Sequence, residues 1–185
     1  MQRMQSGEAC RARSVQGWSI VISVDLERPG DAWEIEALLD TAFGVGRLSL
    51  SSYQLRQDVH HVAELSLVAR DELGLVIGTI RFWPIEIGDA RFPALLLGPI
   101  AVHPTHQGEG IGSMLIRTGI ANAARIGWKL VMLVGDLEYY SRFGFARSTS
   151  TEFPMPTNPA RVLFLELAPG AASGLEGKVT RPGNP

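Results

Sequence analysis

The chain has little to bind a polyanion with and little to cross a membrane with. It carries one cysteine, Cys10, in 185 residues. A lone cysteine excludes an intrachain disulfide and fits a reducing compartment; Cys10 itself reads as a free thiol on a loose terminus. Lysine is almost absent, at Lys129 and Lys178, so nearly all positive charge is arginine. Net charge is −2, which gives no basic face for nucleic acid. No apolar run approaches the roughly 20 residues that span a bilayer. The N-terminus holds Arg3, Arg11 and Arg13 before the patch Trp18–Val24. That patch is short, interrupted by serine and followed by Asp25-Leu26-Glu27, so a signal peptide is not expected. These absences predict a cytoplasmic protein with a disordered leader over residues 1–17, a domain over 18–169 and a loosely held Gly/Ala/Ser/Pro tail over 170–185.

What is present is organised around Ala94 to Phe145. Ala94–Val102 is nearly all apolar, as in a strand buried on both faces, yet Gly98-Pro99 interrupts it. Proline cannot donate to a ladder and glycine invites a bulge, so this strand is expected to splay from a neighbour and leave backbone groups free. Gln107-Gly108-Glu109-Gly110-Ile111-Gly112 follows, where the strand gives way to a helix over Ile111–Ile126. Glycine lets a ligand approach the main chain, and the first helical amides have no intrahelical partner. Together with the helix dipole they make a phosphate or pyrophosphate site. Ile111, Met114, Leu115, Thr118, Ala121 and Ala124 are expected on the buried side of that helix.

Before this centre, Ile20–Asp25 reads as a strand and Ala32–Phe43 as a helix with Asp31 as N-cap and Ile35, Leu38, Leu39 and Ala42 on one face. A weaker helix is expected over Ser51–Gln57, and the loose segment from Phe43 to His61 as a substrate-facing loop. Val62–Arg70 and Leu75–Ile87 read as a hairpin across Asp71-Glu72-Leu73-Gly74, with Pro84 marking an edge or a bulge. After it come a strand over Lys129–Val134, a short helix over Leu137–Phe143, a strand beginning at Phe145, a proline-rich loop and a last strand over Arg161–Leu167. Hairpins leading into a strand–helix–strand crossover predict a mixed α/β fold, with a mostly antiparallel sheet, a bulged central strand and flanking helices.

At Gln107, Gly110 and Gly112 the sequence resembles the GNAT superfamily of acyl-CoA-dependent N-acyltransferases, whose signature is Gln/Arg-x-x-Gly-x-Gly/Ala at this strand–helix junction. Tyr139-Tyr140-Ser141-Arg142-Phe143-Gly144-Phe145 resembles the family's Tyr-x-x-x-Gly-Phe segment, and Leu133-Val134-Gly135-Asp136 a bacterial branch of predicted acetyltransferases. The resemblance implies acetyl-CoA as co-substrate, without a metal, and a primary amine, on a small molecule or a peptide, as acceptor. Ile100, Ala101 and Val102 would hold the pantetheine arm by their main chain. Gln107, Gly108, Glu109, Gly110, Ile111 and Gly112 would hold the pyrophosphate, and Tyr139 would pack or touch CoA. An amide near Ile100 would polarise the acetyl carbonyl, and Tyr140 would be the general acid for the leaving thiolate. Glu64, Asp136 and His103 are candidates for the base, each equally readable as solvated strand ends or caps. Asp136 stands where many members have asparagine. The family's frequent dimers admit a homodimer.

The rivals are weaker or quieter. The glycines lack Gly-x-Gly-x-x-Gly spacing, and Gly-Lys-Ser/Thr is absent, which disfavours dinucleotide and P-loop folds. His60-His61 has no third ligand at metal spacing. The remaining alternative is a catalytically silent module of the same fold that senses acyl-CoA or a small amine; Tyr140 beside an intact glycine loop favours the enzyme.

Overall fold

The computed structural model describes residues 22–49 and 51–183. The leader expected over 1–17, Cys10 and the start of the first strand lie outside them. Nine strands form one sheet system: β1 (Ser23–Leu26), β2 (Leu67–Arg70), β3 (Val76–Ile87), β4 (Phe92–Val102), β5 (Leu130–Val134), β6 (Ala146–Arg147), β7 (Thr151–Glu152), β8 (Val162–Glu166) and β9 (Gly177–Thr180). The main path runs β1-β2-β3-β4-β5-β8-β6, and β9 pairs with β3 and β7. Pairing is antiparallel except between β4 and β5 and between β7 and β9. This is the expected mixed α/β architecture.

Helix α1 (Ala32–Phe43) covers one face and α3 (Ile111–Arg125) the other; α2 (Ser51–Gln54) and α4 (Leu137–Tyr140) are single turns near the site. Period-two alternation sorts β2 between them. Val68 joins Ile35, Leu38 and Leu39 under α1, while Leu67 and Ala69 join Ile111, Leu115 and Ile116 under α3. Fully burying one such aliphatic side chain stabilises by roughly 1.5–3 kcal/mol. Gly119 lets α3 approach closely, because a β-carbon there would stand 2.5 Å from Phe82 Cε2.

Several expectations are corrected. The buried stripe of α3 is Ile111, Leu115, Ile116, Gly119 and Ala123, and both Ala121 and Ala124 are exposed. Ala42 is also exposed, in the last turn of α1. Asp31 takes the expected N-cap position of α1, but its side chain makes no capping bond there. Its carboxylate accepts from the Arg28 amide at 2.7 Å and from Arg70 Nη2 at 2.5 Å. Burial opposes its ionisation, but the bonds from Arg70 and Arg28 outweigh that and hold it below the usual carboxylate range. The second helix is one turn, not Ser51–Gln57. The strand expected from Val62 starts at Leu67, after a 3-10 turn over Ala63–Leu65. The C-terminal tail is not loosely held throughout: β9 pairs Glu86 with Thr180 and Ile87 with Val179. Pro84 behaves as expected, lying between the stretch of β3 paired with β2 and the stretch paired with β9.

Candidate active site

The site starts from a register slip. Ile80 pairs with Ile100 and Phe82 with Leu97, so Gly98 and Pro99 together oppose Arg81. This bulge reverses the parity of β4. Leu95 and Leu97 face α3 before it, and Ile100 and Val102 pack on that same core after it. Ala101 turns instead to the α1 face. Gly98 has φ +128°, which favours glycine. On the other side, β4 and β5 share only the pairs Leu95–Val131 and Leu96–Met132. Beyond them the strands part, and the gap between them is the site.

Two cavities meet there. The larger, about 630 Å³, is bounded by Ile100, Ala101 and Val102 on β4, by the loop and helix start at Gln107, Gly108, Gly110, Ile111 and Gly112, and by Asp136, Tyr139 and Tyr140 across the gap. Gly108 and Gly110 have φ of +86° and +83°, and no atom lies within 4 Å of where a β-carbon would stand on either. The space above both belongs to whatever binds. Gly110 is the residue just before α3, so the free amides of the first turn open onto this cradle. A β-carbon on Gly112 would be 3.5 Å from Tyr139 Oη, which sets that ring over the helix start. Among the described residues no three His, Cys, Asp or Glu side chains converge as a metal would require.

Tyr140 lines both cavities. It packs edge-on to Tyr139 at 4.9 Å between ring centroids and to Phe145 at 5.9 Å. Gly135 makes room for it, since a β-carbon there would overlap Tyr140 Cε2. Burial, aided by Tyr139 and Asp136 and opposed by Arg161, pushes the Tyr140 phenol up to about 12. The hydroxyl therefore stays protonated across the physiological range.

Not every anticipated residue joins them. Glu109 turns its carboxylate to His106 Nδ1 at 3.2 Å and does not line the cleft. Gln107 Nε2 donates to the Val102 carbonyl at 3.4 Å, a long bond that ties the loop to β4. Glu64 lies exposed in the 3-10 turn that packs toward α3 and borders neither cavity. His103 caps the 3-10 turn over Pro104–His106. Asp136 does border the cleft and meets Arg161, with Nε to Oδ1 at 3.2 Å.

Sequence reasoning missed the cations. Arg142 stacks 4.2 Å from the Tyr139 centroid and, with Arg161, borders the larger cavity. Arg47 and Arg56 border the smaller one with Phe43, Ser52 and Tyr53. Only the loose character of Phe43 to His61 hinted at this segment.

A family model described as an acetyltransferase (GNAT) domain matches residues 62–147. An uncharacterized N-acetyltransferase of Escherichia coli K12, YhbS, is 30% identical over 158 residues, 84% of this chain and 93% of that protein. The chain belongs to the GNAT acetyltransferase family. The structure of YhbS from E. coli in complex with CoA agrees in fold, with a TM-score of 0.76 and 27% identity over 96% of this chain and 93% of that one. A Brucella melitensis GNAT acetyltransferase in complex with acetyl-CoA gives a TM-score of 0.59 and 36% identity over 80% of this chain and 89% of that one. As a GNAT protein the chain is an acyl-CoA-dependent transferase.

Proposed function

We propose that this GNAT protein transfers the acetyl group of acetyl-CoA directly to a primary amine, with Tyr140 as the group that assists departure of the thiolate. The observation that carries the reading is the open cradle at Gly108 and Gly110, at the mouth of the gap between β4 and β5. That YhbS is found with CoA and the Brucella protein with acetyl-CoA supports the same occupant here.

The amides at Gly108, Gly110, Ile111 and Gly112 would hold the pyrophosphate, and Arg142 adds a cation at the rim. The exposed main chain of Ile100 and Val102 would pair with the pantetheine arm as a further strand would. The acetyl thioester carbonyl at the end of that arm then falls near the Ile100 amide, which stabilises the charge developing on oxygen as the amine attacks. The new C–N bond forms, the C–S bond breaks, and the amine releases a proton to solvent in the open cleft. Tyr140 holds its proton more tightly than an ordinary phenol, so it serves the departing sulfur as a fixed hydrogen-bond donor. Full proton transfer by a positioned side chain contributes about 10²–10⁴-fold, and a donor that keeps its proton belongs at the low end of that range. One cysteine in 185 residues supports a reducing, cytoplasmic setting, and no helix among the described residues is long and apolar enough to cross a membrane.

Calorimetry with acetyl-CoA tests this. Micromolar binding by the wild type, lost in Gly110→Glu, which sets a carboxylate in the cradle, is the expected result. An amine screen with Tyr140→Phe follows, with a loss of about 10²-fold in kcat expected. No binding of acetyl-CoA by the wild type would overturn the proposal.

A further inference from the structure

The smaller cavity, about 140 Å³, begins at the far side of Tyr140. Its floor is the parted strands at Leu96, Leu97, Leu133 and Val134, and its roof is made by Phe43, Arg47, Ser52, Tyr53 and Arg56. Arg47 and Arg56 border the cavity, Arg81 joins them around the adjoining hollow, and the situations of the three differ. Arg47 donates to Asp40 at 2.9 Å, to Tyr53 Oη at 2.9 Å and to Glu36 at 2.6 Å. Arg81 donates to both Glu27 oxygens at 2.8 and 2.7 Å and reaches Glu36 at 3.2 Å. Both guanidinium groups are held charged by these bonds against the effect of burial.

Arg56 has no acidic partner among the described residues, and Tyr53 alone supports it by side-chain hydrogen bonding. Its Nε and Nη1 are buried and make no hydrogen bond among the described residues. Aromatic faces support it, with Cζ 4.5 Å from the Tyr53 centroid and 5.8 Å from that of Trp83. Its Nη2 lies 3.3 Å from where a β-carbon of Gly98 would stand, so the same glycine that opens the strand also clears space for this guanidinium. Burial, with the charges of Arg81 and Arg47 adding to it and Tyr53 opposing, lowers it to about 10. It remains charged at neutral pH. The acids that serve this cluster, Glu27, Glu36 and Asp40, pair with Arg81 and Arg47. A buried cation with idle donors is costly unless an anion completes it.

We propose that this chamber is a carboxylate-recognition site, with Arg56 as its anchor and a small substrate bearing a carboxylate as its occupant. The planar fork of a guanidinium suits a planar carboxylate, and the leucine and valine walls suit a short apolar chain between that group and the reacting centre. Ser52 adds a hydroxyl to the lining. The inference rests on the acetyltransferase reading for the identity of the neighbouring cleft. One chemistry has two sources here: an amino acid acceptor, or the far end of a dicarboxylic acyl group on CoA.

The test compares the wild type with Arg56→Gln and Arg56→Lys, all first shown to bind acetyl-CoA by calorimetry. In one arm glycine, β-alanine and γ-aminobutyrate are acetylated against their amides, followed by thiol release. In the other, succinyl-CoA competes with acetyl-CoA for a neutral amine. The expected result is a preference of about 10- to 100-fold in kcat/KM for the carboxylate form in one arm, lost in Arg56→Gln and partly kept in Arg56→Lys. The arm in which it occurs identifies the source. No preference in the wild type, or a preference untouched by Arg56→Gln, overturns the proposal. Independently of turnover, the Arg56 Nε–H resonance should shift saturably with glycine or succinate and not with chloride at equal ionic strength; no such shift overturns it too. Failure of acetyl-CoA to bind would instead count against the cleft, and the resonance titration would still decide the chamber.

Discussion

The two cavities that meet at Tyr140 are walled differently. The larger is bounded by main chain: glycines with nothing above them, a bulged strand, and the amides of a helix start. The smaller is bounded by side chains that hold one another in place, Arg47 through three partners and Arg56 between two aromatic rings. A cleft made of backbone tolerates variation of the side chains around it, provided the glycines remain. A chamber made of side chains can be respecified one residue at a time. If the proposed function holds, this division would keep the acetyl-CoA cleft constant while the chemistry of the chamber diverges.

The two cavities are most sensitive at the seam they share, Tyr140. Gly135→Ala should displace the Tyr140 ring and lower kcat by about 10²-fold, with the affinity for acetyl-CoA nearly unchanged. Steady-state kinetics with the best amine of an acceptor screen, alongside calorimetry, reads both. Equal losses in both quantities would mean that the two cavities are not separable.

Arg47→Met tests the chamber as a self-supporting wall. Losing three hydrogen bonds from a buried guanidinium should cost about 1–3 kcal/mol in urea unfolding. Acetyl-CoA affinity should hold, because no partner of Arg47 borders the larger cavity.

Arg142→Ala is the milder change on the other side. A rim cation is worth about 0.2–1 kcal/mol, so acetyl-CoA affinity should fall no more than about fivefold, and less in high salt. Calorimetry at two ionic strengths checks it.

The smallest expected effect is an absence. Because the folded state favours the neutral Tyr140 phenol, the associated stability is complete below the ordinary pKa near 10 and fades as pH rises through about 12. The pH profile of kcat should therefore show no alkaline limb from this group up to pH of about 10. A limb centred near 10 that disappears in Tyr140→Phe would contradict the burial described here.

The backbone cavity was the legible one. Gly98-Pro99, Gln107 to Gly112 and Tyr139-Tyr140 sit in one stretch of chain, and each residue type states its geometry: a bulge, a positive φ, a ring after a strand. The chamber was not legible, because Arg56 gains its meaning from Trp83 and Gly98, residues distant in sequence. Glu64 misled through alternation, since Val62, Glu64 and Ser66 look like a strand while the chain makes a 3-10 turn through them. Strand β9 was hidden by composition, its Gly177 and Lys178 being poor strand formers that pairing with β3 and β7 overrides. The face of α3 was misjudged because Gly119 shows no apolar side chain to a periodicity reading, yet it faces Phe82 so closely that a β-carbon would not fit.

The parting of β4 from β5 has a mechanical meaning. Two register pairs join them, Leu95–Val131 and Leu96–Met132, and β9 returns to β3 beside the start of β4, at Glu86 and Ile87. The molecule is thus a pair of levers clasped at one end by its own C-terminal strand. Amides at the clasp should exchange with solvent slowly whether or not a ligand is present, and those at Ile100, Val102 and Val134 quickly until one is. On the proposed function, a pantetheine arm laid between the levers would act as a splint, turning two half-sheets that work against each other into one stiff plate.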